Sequence, residues 1–128
     1  MSKQHLATQT LENQLTLNVF DASKKMAADR WRVEVVLEIE VPVHAKWFNE
    51  ALAPPAPAEA LAAALGDSVL YEYRDQRTFV DTAEKDALVN QMQADLLAMA
   101  PRYYGHPNFA GRLIIKRYLE KTGGRKLG

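Results

Sequence analysis

The side chains best equipped to hold a ligand are aromatic and polar together: Tyr71, Tyr73, Tyr103, Tyr104 and His106. Phenol hydroxyls and an imidazole can each donate and accept hydrogen bonds. If the connector PRYYGHP folds over the strand that carries Tyr71 and Tyr73, then Tyr71, Tyr73, Tyr103 and His106 line a small pocket. The same rings could instead fill the core with their hydroxyls at its wet edge. No nucleophile, base and orienting group can be named from the sequence, so a catalytic role has no anchor there.

A second group is cationic. From Arg102 to the end the chain carries seven basic residues and one acid, Glu120, although its net charge is zero. Lys116, Arg117, Glu120 and Lys121 lie at helical spacing, and with Arg112 before them and Arg125 and Lys126 after they could form a solvent-facing basic strip. Such a strip attracts a phosphate backbone or an acidic partner. It would also complement the negative end of its own helix. Stacking of single-stranded bases needs interleaved aromatic residues, and only Tyr118 is available.

Other chemistry finds little support. His5, His44 and His106 have no second histidine within ligand spacing, so no metal site is expected. Neither GxGxxG nor GxxxxGK[ST] occurs, and Gly123-Gly124-Arg125-Lys126 follows a helix instead of opening one. No cofactor is expected. Glu34, Glu38 and Glu40 share one face of a strand and could bind a cation. An exposed sheet face is ordinarily charged, however, and Arg32, Arg74 or lysines on neighbouring strands would pair with them.

Composition narrows the class. Apolar residues make up 48% and charged residues 25% of 128 residues, which suits a folded domain with one core. There is no cysteine, so disulfides and thiolate chemistry are excluded. The polar start, MSKQHLATQTLENQ, has no secretory h-region, and no apolar run is long enough to span a bilayer. Expectation therefore falls on a cytoplasmic protein without membrane contact.

The element that must position these groups is WRVEVVLEIEVPV, residues 31–43. Trp31, Val33, Val35, Leu37, Ile39, Val41 and Val43 occupy every second position, which marks a strand with one apolar face. Residues 14–20 give a first strand, through Leu15, Leu17 and Val19. The intervening DASKKMAADR reads as a long hairpin loop with room for one helical turn at Met26-Ala27-Ala28. Pro42 cannot donate to a ladder, so by that point the second strand lies at an edge or has left the sheet. Residues 44–66 read as an Ala/Pro-rich insertion: a short helix with Trp47 and Phe48, a stiff APPAPA, and a helix from Glu59 to Leu65 stopped by Gly66.

Residues 68–80 give a third strand that ends, bulges or turns near Asp75 and Arg77. A tight hairpin at Arg74–Arg77 is one form of that expectation. Asp81 N-caps a helix that runs to Ala100, before Pro101, with Leu88, Met92, Leu96 and Met99 facing the sheet. A last helix is predicted from Asn108 to Lys121, with Phe109, Leu113, Ile114, Tyr118 and Leu119 inward.

The sequence thus predicts one α+β domain over residues 1–128 with loose termini. Its core is a three-stranded, mainly antiparallel sheet covered on one face by two C-terminal helices. Three functions are consistent with it. The first is a non-enzymatic interaction or accessory domain, contacting another protein or a second copy through a sheet edge or through Trp47 and Phe48. The second is nucleic-acid binding through the basic C-terminal strip. The third is a small-molecule or enzymatic pocket at the tyrosine cluster.

Overall fold

The computed structural model describes residues 3–123. It is an α+β fold whose sheet has five antiparallel strands: β1 (Gln4–Thr10), β2 (Thr16–Asp21), β3 (Lys24–Ala27), β4 (Arg30–Pro42) and β5 (Ser68–Asp81). Three helices accompany it: α1 (Ala58–Leu65), α2 (Thr82–Tyr103) and α3 (Phe109–Lys121). β4 is the axis. Along one side it pairs with β3 and then β2, and along the other with β5; β1 adds outside β2.

The expected three-stranded sheet is therefore enlarged at its N-terminal side. Residues 4–10, expected to be loose, form β1 on the edge of β2. Their sequence QHLATQT lacks an apolar alternation because an edge strand here needs to bury little. β3 replaces the expected turn of helix. All four of its residues are exposed, so only pairing with Arg30–Arg32 makes it a strand.

Alternation in β4 does what its pattern requires. Val33, Val35, Leu37, Ile39 and Val41 are all fully buried against the helices. Each contributes roughly 1.5–3 kcal/mol by leaving water. Leu15, Leu17, Val19 and Val69 join the same core. On the opposite face Val36 is also closed off, between its register partners Phe20 and Arg74. Pro42 lies beyond the end of the β2 pairing, which stops at Ile39, so no ladder bond is lost there.

β5 joins β4 and runs unbroken to Asp81; the hairpin at Arg74–Arg77 does not form. The interruption lies directly after Arg77. Thr78 and Phe79 together stand opposite Arg32, a β-bulge, and Phe79, with φ of 58°, is 71% exposed. The bulge returns Val80 to the core side opposite Trp31. Asp75 and Arg77 share the face of their cross-strand partners Val35 and Val33, on the outermost strand, and pair with each other at 2.5 Å.

Asp81 ends β5 and caps α2, its carboxylate accepting from Ala83 N–H at 3.3 Å. The buried face of α2 is Val89, Met92, Leu96 and Ala100. Met99, expected inward, is more than one-third exposed because the stripe falls one position over, on Ala100. The helix passes through Pro101 for one more turn. It closes where Tyr104 and Gly105 both donate to Ala100 C=O. Gly105 is required there: a Cβ would lie 2.5 Å from Pro101 C=O.

In the 44–66 segment a 3-10 turn at Ala45–Trp47 and α1 are the only helical pieces, and Gly66 caps α1 with φ of 88°. α3 buries Ala110, Gly111, Leu113 and Ile114, and Gly111 lies against this segment at Trp47 and Leu52. Leu119, expected inward, is 40% exposed. No helix among the described residues is long and apolar enough to cross a membrane.

Candidate functional site: a cationic aromatic pocket beside the final helix

α2, the connector after it and α3 converge on the first half of β5. Four rings meet there. Tyr71 lies 5.2 Å from Tyr104 and 5.4 Å from Phe109, and Tyr104 lies 5.2 Å from both Phe109 and Tyr103. Edge-to-face packing of this kind fixes ring orientation as well as burying area. Tyr104 is the cluster's hub, 1% exposed, its hydroxyl 3.1 Å from that of Tyr71. Burial, with the Tyr71 hydrogen bond second, pushes the Tyr104 hydroxyl far above its ordinary range.

Beside this cluster is a pocket of about 390 Å³. Tyr71, Phe109 and Leu113 form its apolar wall; Tyr103, His106, Arg102, Arg112 and Lys116 supply its polar rim. Helical spacing puts Arg112 and Lys116 one turn apart on the same face of α3. His106 is oriented by its own backbone turn: its Nδ1 accepts from Asn108 N–H at 3.0 Å. In the neutral ring the proton is therefore on Nε2, which becomes a donor. Arg102, Arg112 and Lys116 form no salt bridge among the described residues. Among the described residues the pocket thus presents three cations, with His106 and tyrosine hydroxyls as further donors, over an aromatic wall, and no carboxylate is in its lining.

The expected site residues are distributed unevenly. Tyr71, Tyr103 and His106 line the same pocket. Tyr73 is not part of the pocket; it is 39% exposed further along β5. The basic strip is split. Arg112 and Lys116 enter the tyrosine pocket, whereas Arg117 and Lys121 lie on a separate surface beside α1 and the start of β5. Arg117 there donates to Leu70 C=O at 2.7 Å. Arg125 and Lys126 lie outside the described residues. Arg102 was missed as a site residue, although its position beside Tyr103 in the connector could have pointed to it.

Trp47 and Phe48 do not form an exposed contact patch. Trp47 is 7% exposed, its indole N–H donating to Pro42 C=O at 2.8 Å, and Phe48 packs against the core. A short turn of helix carried the signal, but the apolar end of the sheet consumes both rings.

On β4 and β5 several charged groups neutralise one another. Glu34, 6% exposed, accepts from Arg74 at 2.6 Å and lies 3.8 Å from Arg32. Arg74 also bridges Glu72 at 3.2 Å, and these carboxylates, Glu34 first, raise its pKa above the usual value. Glu38 pairs with Lys3, and Glu40 accepts from Ser68 at 2.8 Å. Thr8 Oγ1 also lies 2.8 Å from His5 Nε2. Thr8 gives its proton to Asn18 Oδ1 at 2.6 Å, so His5 must donate to Thr8 and cannot act as its base. No group of three metal-binding side chains is found among the described residues.

Searches for similar proteins found no matching family model, curated protein or solved structure.

Proposed function

We propose that this is a non-enzymatic interaction domain that binds an acidic segment of another protein, seating a carboxylate in the pocket beside α3. One arrangement carries the reading: Arg102, Arg112 and Lys116 line one pocket with Tyr71, Tyr103 and His106, and none of the three cations has a salt-bridge partner among the described residues. Cations left unpaired at a concave, partly apolar site favour an anionic guest, because charge-assisted hydrogen bonds there compete well with water. The pocket's volume suits one or two side chains. Tracking a phosphate backbone would call for a continuous basic stripe, and the division between Arg112/Lys116 and Arg117/Lys121 interrupts it.

The test is an NMR titration with a short poly-glutamate peptide at low salt. Binding should perturb Tyr103 and His106, weaken as salt rises, and disappear in Arg112→Glu/Lys116→Glu. Absence of any shift at low salt overturns the reading. A single-stranded oligonucleotide that binds where the peptide does not would favour nucleic-acid recognition instead.

A further inference from the structure

The second feature that stands open is the outer edge of β5, and its ladder geometry says which main-chain groups it offers. In β4, Glu34 C=O accepts from Ala22 N–H at 2.8 Å, and Glu34 N–H donates to Ser23 Oγ at 3.0 Å. Both groups of Glu34 therefore point to the β2–β3 side. Antiparallel pairing alternates, so the odd residues of β4 turn toward β5. Their register partners Tyr71, Tyr73, Asp75 and Arg77 are spent in that ladder. Leu70, Glu72, Arg74 and Gln76 must then point outward. Arg117 reaching Leu70 C=O from outside agrees independently.

We infer that the protein forms a two-fold dimer in which this edge pairs antiparallel with the same edge of a second copy, with Tyr73 opposite Tyr73 of the partner subunit. An open strand edge of this length is a template for pairing. Its limits centre the contact. Arg117 marks one end at Leu70, and the bulge at Thr78–Phe79 ends the regular ladder at the other. The midpoint of Leu70–Gln76 is Tyr73.

Charge selects the same register. Centred on Tyr73, Glu72 lies opposite Arg74 of the partner subunit, and the symmetry repeats that pair. The two Tyr73 rings, each 39% exposed, become close cross-strand neighbours. Centred one residue later, Arg74 would face itself. Two residues later, Asp75 would face itself and the pairing would run onto the bulge. Like charges directly opposite are unfavourable, so both alternatives are disfavoured. Leu70 C=O has two lone pairs and can keep Arg117 while accepting a strand N–H. The contact is isologous and closes at two copies.

The experiment uses the full chain and exploits its lack of cysteine. Sedimentation across a concentration series should give a species of twice the monomer mass. Tyr73→Cys places two cysteines at a non-hydrogen-bonded pair, where Cα atoms are about 4.5 Å apart, inside the disulfide range. It should crosslink to a covalent dimer under mild oxidation, whereas Asp75→Cys should not. Glu72→Pro removes an outward N–H that β4 does not use. It should weaken association about thirtyfold, as expected for two symmetric hydrogen bonds, with an unchanged circular dichroism spectrum. A monomer at every concentration overturns the inference. So does a dimer that crosslinks through position 75 instead of 73, or one indifferent to Glu72→Pro in a folded variant.

Discussion

The hydroxyls of Tyr71 on β5 and Tyr104 at the end of α2 meet at 3.1 Å, one ring lining the pocket and the other sealed beneath it. Asn13 adds a second tie to the same point, its side-chain amide donating to Tyr104 C=O at 2.9 Å. The floor of the site is thus fastened to the sheet and to the β1–β2 turn at once.

Because the Tyr104 hydroxyl is held protonated by burial, stability should fall at alkaline pH. An unfolded tyrosine titrates near ~10. Above that pH the unfolded chain releases a proton that the folded chain retains, so the stabilisation, complete below ~10, is lost as pH rises. Urea denaturation from neutral to strongly alkaline pH should show this fall, and Tyr104→Phe should flatten it. At neutral pH that substitution should cost about 1 kcal/mol for the missing hydrogen bond. An alkaline slope unchanged in Tyr104→Phe would contradict the assignment.

Glu34 should depend on Arg74. Removing one partner of a buried ion pair can cost ~3–5 kcal/mol. Here Arg74 is half exposed and Arg32 remains nearby, so Arg74→Met is expected to cost about 1–2 kcal/mol. Adding Glu34→Gln should recover much of that loss, since a neutral amide is cheaper to leave buried. Denaturation midpoints of the two single variants and the double variant measure the coupling; additive effects would refute it.

Gly111 is where α3 touches the 44–66 segment most closely. A Cβ there would lie 2.6 Å from Leu52 Cδ2 and 2.9 Å from Trp47 C=O. The leucine tip can move; the backbone oxygen cannot. Gly111→Ala should therefore destabilise by about 1–3 kcal/mol despite the better helix propensity of alanine. Thermal unfolding checks the sign. Combining it with Leu52→Ala should not rescue stability, because the clash with Trp47 remains.

What the sequence revealed depended on how much each element buries. β4 could be read from its alternation because every odd residue from Val33 to Val41 is inside. β1 and β3 could not, because edge strands that bury little leave no apolar rhythm; their structure comes from their neighbours' hydrogen bonds. Asp75 and Arg77 looked like the end of a strand, yet they continue it on the outermost strand of the sheet, where Arg77 is exposed and the two charges pair with each other. For the pocket, the spacing of Arg112 and Lys116 and the PRYYGHP connector were both visible. That they meet is a tertiary fact, set by the way α3 folds back toward Tyr71. Trp47 and Phe48 misled because aromatic rings in an irregular segment can equally seal a core.

The kink at Thr78–Phe79 acts as a phase shifter in the chain. Upstream of it odd-numbered side chains of β5 look toward the helices; downstream, Val80 does. Losing one residue there would straighten the strand at the expense of turning Val80 to water and swinging the Asp81 cap off the axis of α2. Backbone spacing at this joint is accordingly less forgiving than side-chain identity, and sequence change in this part of the molecule should be tolerated as substitution far more readily than as a change of length.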